Sequence, residues 1–255
     1  TSDSMVHGLD SVSVDSKLQK RFGDFAFSAT GKQQAASLSN ESIHLTFNSK
    51  GGALVSAKIR GEQTYQNRFL ENSSQKTDLD LILNDSAALD LEFYHANQRI
   101  QTKDLFFSVH SQTDKELVFR AYTNDSVGYI QWRYSLTSSG YSLGVELSMV
   151  GLESIVDRGQ SDMPLKWTQI APRQELNLTN ERATSTIYYK TESGSVSRIG
   201  RGGENSEEID EAVEWISFKQ QFFCNALVIK NGHFKRPVQA ETKIPAWADS
   251  SVNMG

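Results

Sequence analysis

The residues able to do chemistry are few and scattered. Five histidines stand at His7, His44, His95, His110 and His233. No two of them share helical metal-ligand spacing, and no cysteine joins them, whereas a zinc site needs three or four converging ligands. Asp78 and Asp80 lie two apart, on one face of a strand. Such a pair reads first as a wetted face and second as a calcium or acid–base pair. The single cysteine, Cys224, sits between Phe223 and Asn225, and no neighbouring histidine or cation would activate its thiol. It reads as a small buried apolar residue. The stretch GRGGEN, 200–205, is glycine-rich, but no Lys-Ser/Thr follows it and no strand leads into it, so it is not a phosphate loop. No Gly-x-Ser-x-Gly elbow occurs. The residues therefore assign no catalytic group, no cofactor and no metal.

The least ordinary run is EWISFKQQFFCNALVI, 214–229. Trp215 and Ser217 alternate with Ile216 and Phe218, and FFCNALVI then continues as a nearly unbroken apolar string. A strand covered on both faces reads that way, so this segment is expected at the centre of a sheet, with Trp215, Phe218, Phe222 and Leu227 in the core. Lys219 and Gln220 interrupt it. They read as strand-end groups bonded to backbone or, functionally, as a polar spot on a groove that receives an extended peptide. Just upstream, six acidic residues and no base fall in 204–214. GSVSRIG (194–200) continues the strand alternation, yet 194–214 is also the longest unstructured piece, and its acidic run is expected to be a solvated loop or, alternatively, a partner-facing acidic patch.

The elements that must position these residues have period two. Alternation marks Ile43, Leu45 and Phe47, then Ile130, Trp132, Tyr134 and Leu136, then Leu143, Val145, Leu147 and Met149. Gly51-Gly52 reads as a tight turn with positive φ, and Gly140 as a hairpin glycine. More than ten short strands and no long helix predict an all-β, antiparallel, two-layered fold. The expected domain runs over 41–255. Residues 1–40 precede it as a tether containing one short helical segment, with Leu18, Phe22 and Phe25 on one face and Asp15 or Ser16 as its cap. Both chain ends read as cut from a longer protein.

Composition narrows the function classes. The chain has 255 residues and a net charge of −5, with no basic stripe, which argues against a nucleic-acid partner. No run of eighteen apolar residues exists, so this fragment holds no helical membrane span. Five Asn-x-Ser/Thr triplets, at Asn40, Asn72, Asn84, Asn124 and Asn177, are what a Ser- and Thr-rich chain produces by chance.

Several stretches, taken in order, carry a resemblance. NESIHLTFNSKGGALVSAKIRG (40–61), EQTYQNRFL (62–70), KWTQIAPRQELN (166–177), TSTIYYK (184–190) and VEWISFKQQFFCNALV (213–228) resemble the large periplasmic domain of YidC-type membrane protein insertases, Bacteroidetes-like members in particular. LQKRFGDFAFSATG (18–31) is similar to the segment after that family's first transmembrane helix. The resemblance covers roughly residues 17–245. It implies a twisted β-supersandwich of the galactose-mutarotase kind, truncated at its C-terminal end, on the periplasmic face of a Gram-negative inner membrane. It further implies a non-catalytic docking or chaperone role, with Sec translocon accessory subunits and nascent membrane proteins as partners. The motif residues it singles out are Gly51, Gly52, Trp215, Phe218, Lys219, Gln220, Phe222 and Phe223, mainly structural, with Lys219 and Gln220 as candidate groove contacts. Two other readings of such a sandwich stay open: an aldose epimerase using a histidine and a carboxylate across a cleft, or a carbohydrate-binding module presenting Trp132 or Trp167.

Overall fold

A computed structural model describes residues 16–70, 76, 78–83, 86–156 and 162–244. The first described element is helix α1 (Ser16–Phe22), followed by strands β1 (Ala35–Ser39), β2 (Ile43–Asn48), β3 (Ala53–Gln63) and β4 (Asp78–Asp80). Next come β5 (Ala87–His95), β6 (Gln98–Gln101), β7 (Ser108–Gln112), β8 (Glu116–Tyr122), β9 (Tyr129–Leu136), β10 (Leu143–Val150) and β11 (Leu165–Gln169). Helix α2 (Leu178–Thr184) leads into β12 (Thr186–Thr191), β13 (Val196–Arg198), β14 (Asn205–Ile209), β15 (Val213–Lys219), β16 (Cys224–Val228) and β17 (Val238–Thr242). The fold is all-β, in several antiparallel sheets with two short helices.

The chain divides into two compact units, residues 1–57 with 84–168 and residues 58–83 with 169–255. In the first unit, strands follow the order β10-β9-β8-β7, and β1 pairs with β2. Alternation along β8 and β9 turns Leu117, Phe119, Ala121, Ile130, Trp132, Tyr134 and Leu136 inward, where they pack with Leu38, Leu45, Phe47, Phe93 and Phe107. Phe22 and Phe25 join this core and Leu18 packs against it, as their three-to-four spacing predicts. Ser16 is the first residue of α1, and Asp15 lies outside the described residues. One correction concerns the expected linker: its AASLS becomes β1, because Ala36 and Leu38 alternate inward against β2. His95 ties the segment after α1 to the rest of this unit. Its Nδ1 lies 2.7 Å from the Ile155 carbonyl and its Nε2 3.2 Å from Asp24 Oδ2.

Gly51 and Gly52 have φ of +74° and +61°. The turn they form brings backbone against the core. A Cβ on Gly52 would meet Trp132 Cδ1 at 2.8 Å, and the Gly52 carbonyl accepts a 2.7 Å hydrogen bond from the Tyr134 hydroxyl. Burial pushes that hydroxyl's pKa well above the ordinary tyrosine value.

In the second unit, strands follow the order β13-β12-β15-β16, and β14 pairs with β17. Ile187, Tyr189, Ile199, Ile209, Val213 and Ala240 form its core, with Ile216, Phe218, Phe234 and Val238 against it. A second correction falls here. β13 falls in GSVSRIG, where the alternation predicts a strand, but the acidic stretch expected as a loop contains β14, so Glu207 and Glu208 sit in a strand. Their carboxylates have uses: Glu207 accepts from the Tyr189 hydroxyl at 2.7 Å, and Glu208 from Gln239 at 3.3 Å.

The third correction concerns the bulky run. Among the described residues β16 is the last strand of its sheet, not a central one. Its even residues face outward: Phe222 is 70% exposed and Val228 55%, and Cys224 is exposed as well. Trp215 is half-buried on the same face, opposite Val228. Only the odd-numbered side is screened, where Leu227 lies opposite Ile216. An apolar string is therefore compatible with one wet face, and alternation of burial decides what alternation of type could not.

Candidate functional site

The polar pair within the bulky run is built into a corner of the second unit. At the end of β15, the Lys219 ammonium donates to the carbonyls of Gln220 (2.8 Å) and Gln221 (3.0 Å). Gln220 is 7% exposed. Its amide donates to the Pro172 carbonyl at 2.6 Å and to Glu181 Oε1 at 3.2 Å. Glu181, from α2, is itself buried and accepts the backbone N–H groups of Gln174 (3.0 Å) and Glu175 (3.3 Å). Burial raises the pKa of this carboxyl above its ordinary value, and the two backbone donors oppose that rise.

The Pro-Arg-Gln stretch completes the corner. Gln174 is buried, donates to the Asp80 carbonyl at 2.6 Å, and leaves its Oε1 without a hydrogen bond. The Arg173 guanidinium lies over the Tyr65 ring, 4.4 Å from its centroid, and donates to the carbonyls of Glu175 and Leu176. Asn177 caps α2 by accepting from the Asn180 N–H at 2.9 Å. Thus 172–177, α2 and the 219–221 turn hold one another through side chain-to-backbone bonds. Gln220 is spent inside this network. Ile170, Leu176 and Phe222, from the segments that form this corner, are exposed, as are the polar residues Arg173, Asn177 and Asn180.

The alternative chemistries find less. Among the described residues, no group of three or more His, Cys, Asp or Glu side chains could hold a metal ion. Asp78 and Asp80 are on a three-residue strand, where the Asp78 carboxylate accepts from the Gly61 N–H and that of Asp80 from the Ile82 N–H. Two histidines face carboxylates, His95 with Asp24 and His233 with Glu192 at 3.8 Å. The first is closed in by its own anchoring contacts. In the second, Glu192 lines an open hollow together with Glu211, Ala212, Lys235 and Arg236. Trp132, a candidate for sugar stacking, is a fully buried core residue, and Trp167 is half-buried. His7 lies outside the described residues. Sequence reasoning missed Gln174 and Glu181. The only signals available were a glutamate in the first turn of a capped helix and a glutamine after Pro-Arg.

Residues 36–252 match the family model described as the YidC periplasmic domain. The chain belongs to this family. Among its relatives, a membrane protein insertase YidC from Porphyromonas gingivalis is 30% identical over 238 residues, which is 91% of this chain and 36% of that protein. One from Bacteroides fragilis is 24% identical over 216 residues, or 84% and 33%. The chain therefore spans about a third of the length of the curated relatives it matches. Among solved structures, a galactose mutarotase-like protein from Lactobacillus casei aligns with TM-score 0.46 and 12% identity, over 82% of this chain and 86% of that one. For a galactose mutarotase related enzyme from Lactobacillus acidophilus the values are 0.40, 9%, 82% and 95%. Within the YidC periplasmic domain match lie the Gly51-Gly52 turn, the Pro172–Asn177 stretch and the whole of 213–228.

Proposed function

We propose that this chain is the non-catalytic periplasmic domain of an inner-membrane protein insertase, and that it assists insertion and folding by docking translocon accessory subunits or extended polypeptide. The observation that carries the reading is the match of residues 36–252 to the YidC periplasmic domain, together with relatives named membrane protein insertases. The parent then spans the membrane outside this chain. The domain faces the periplasm. The docking face we assign is the corner around Gln220. Gln220 is consumed by internal bonds, and exposed Ile170, Leu176 and Phe222 offer partners apolar contacts beside the polar Arg173 and Asn177. Clusters of exposed apolar side chains of this kind mark interaction sites. The motif residues Trp215, Phe218, Lys219, Gln220 and Phe223 support that corner, and Phe222 contacts the partner.

The test is a pulldown of solubilised translocon subunits and of a nascent membrane protein with the purified chain, beside its Phe222→Asp variant. Enrichment over an unrelated periplasmic domain, reduced by the substitution, is the expected result. Equal recovery from all three baits would refute the reading.

A further inference from the structure

A second feature lies in the first unit, independent of the corner just described. Strand β4 pairs with β3 only at Lys58, Ile59 and Gln63. Among the described residues, Ala53–Val55 therefore has β2 on one side and no ladder partner on the other. Beside this unpaired stretch opens a hollow of about 180 Å³, lined by Ala53 and Val55 from β3 and by Ala87 and Leu89 from β5. Small apolar side chains make up most of its lining, and Gln33, Lys50 and Lys103 add polar groups to it. The hollow is smaller than the roughly 300–1,000 Å³ clefts that enclose small molecules, but an extended chain needs room only for alternate side chains.

The charges in this lining do not cancel. Lys103 Nζ is 3.6 Å from Asp90 Oδ2, a carboxylate oxygen that is buried and has no hydrogen bond. Lys50 Nζ donates to the Asp104 carbonyl at 3.1 Å and lies 4.3 Å from the Phe106 ring centroid, facing no carboxylate in either contact. Two ammonium groups thus stand against one carboxylate, leaving a surplus positive charge beside an apolar slot with an open strand edge.

We infer that this slot binds an extended polypeptide segment of small apolar residues carrying an internal Asp or Glu side chain. The segment lies along Ala53–Val55 as an added strand, with its apolar side chains in the hollow and its carboxylate between Lys50 and Lys103. The inference draws on the previous reading only for the origin of the segment, a polypeptide emerging at the membrane. It stands on charge and edge geometry for the rest.

The test is fluorescence-polarisation binding of a labelled, C-terminally amidated peptide Ala-Val-Ala-Glu-Ala to the full chain, with its Glu-to-Gln form and a Gln form with a free C-terminal carboxylate. The acidic amidated peptide is expected to bind about tenfold more tightly than its Gln form, the effect of two partly exposed charge pairs, and less tightly as salt rises. The double variant Lys50→Ala/Lys103→Ala should erase that preference. Val55→Trp, which fills the slot without touching a charge, should abolish binding of all three peptides. The inference is overturned by no saturable binding, by equal binding of the Glu and Gln forms, by a preference that survives loss of both lysines, or by binding only of the free-carboxylate peptide. Failure of the pulldown with slot binding intact removes the translocon reading alone. Failure of the slot with the pulldown intact removes only this inference.

Discussion

A single missing methyl group sets the geometry at Gly52. Its φ of +61° is unfavourable for an L residue, and an added Cβ would press on Trp132 at 2.8 Å. Gly52→Ala is therefore expected to cost about 2–4 kcal/mol, the backbone penalty plus overpacking of a closed core, measured as a lowered urea midpoint with unchanged slope. Glu181 makes a prediction about pH. Its pKa is raised in the folded chain, so the folded state holds this proton more readily than the unfolded one. The stabilisation is fully present below the unfolded pKa and is lost as pH rises through the folded pKa. The stability of the wild type relative to Glu181→Gln should accordingly fall as pH rises from about 4 towards neutrality. Denaturant titrations of both proteins across that interval check the sign, and a constant difference would contradict it.

Strands differ in how openly they declare themselves. β2, β8 and β9 were legible because one face of each is core and the other is polar, as Phe119 against Arg120 and Trp132 against Arg133 illustrate. β14 was not, since its inner face carries Asn205 and Glu207 beside the one apolar anchor Ile209, so polar residues stand on both faces. β16 misled in the opposite sense. Phe222, Cys224, Ala226 and Val228 are apolar, yet they face out, so residue type carried no information about which side was dry. The Gln174–Glu181–Gln220 network was invisible for a third reason: it joins 172–184 to Gln220 and to Asp80 through hydrogen bonds across long stretches of sequence, which leave no periodicity. This distinction between strands separates two tryptophans in energy. Trp132→Ala should cost about 3–5 kcal/mol as a buried large-to-small change, whereas Trp215→Ala, half-buried on an outer face, should cost about 1–2 kcal/mol. Paired chemical-denaturation curves measure both, and equal losses would place Trp215 in a core.

At the scale of the whole molecule, two units each carry a core of their own, one around Phe47, Phe119 and Trp132 and the other around Ile187, Tyr189 and Val213. The net charge of −5 belongs to both together and sets the chain's company. A polyanion gains nothing by shedding counterions onto such a surface, so the protein should pass through a heparin column at about 0.1 M salt without retention. The outward turn of Cys224 has a practical consequence of another kind. This is the chain's only sulfhydryl, it is exposed, and it stands two residues from Phe222. A maleimide dye would attach there and nowhere else, without engineering, and its emission would report occupancy of the neighbouring corner while the polypeptide stayed otherwise native.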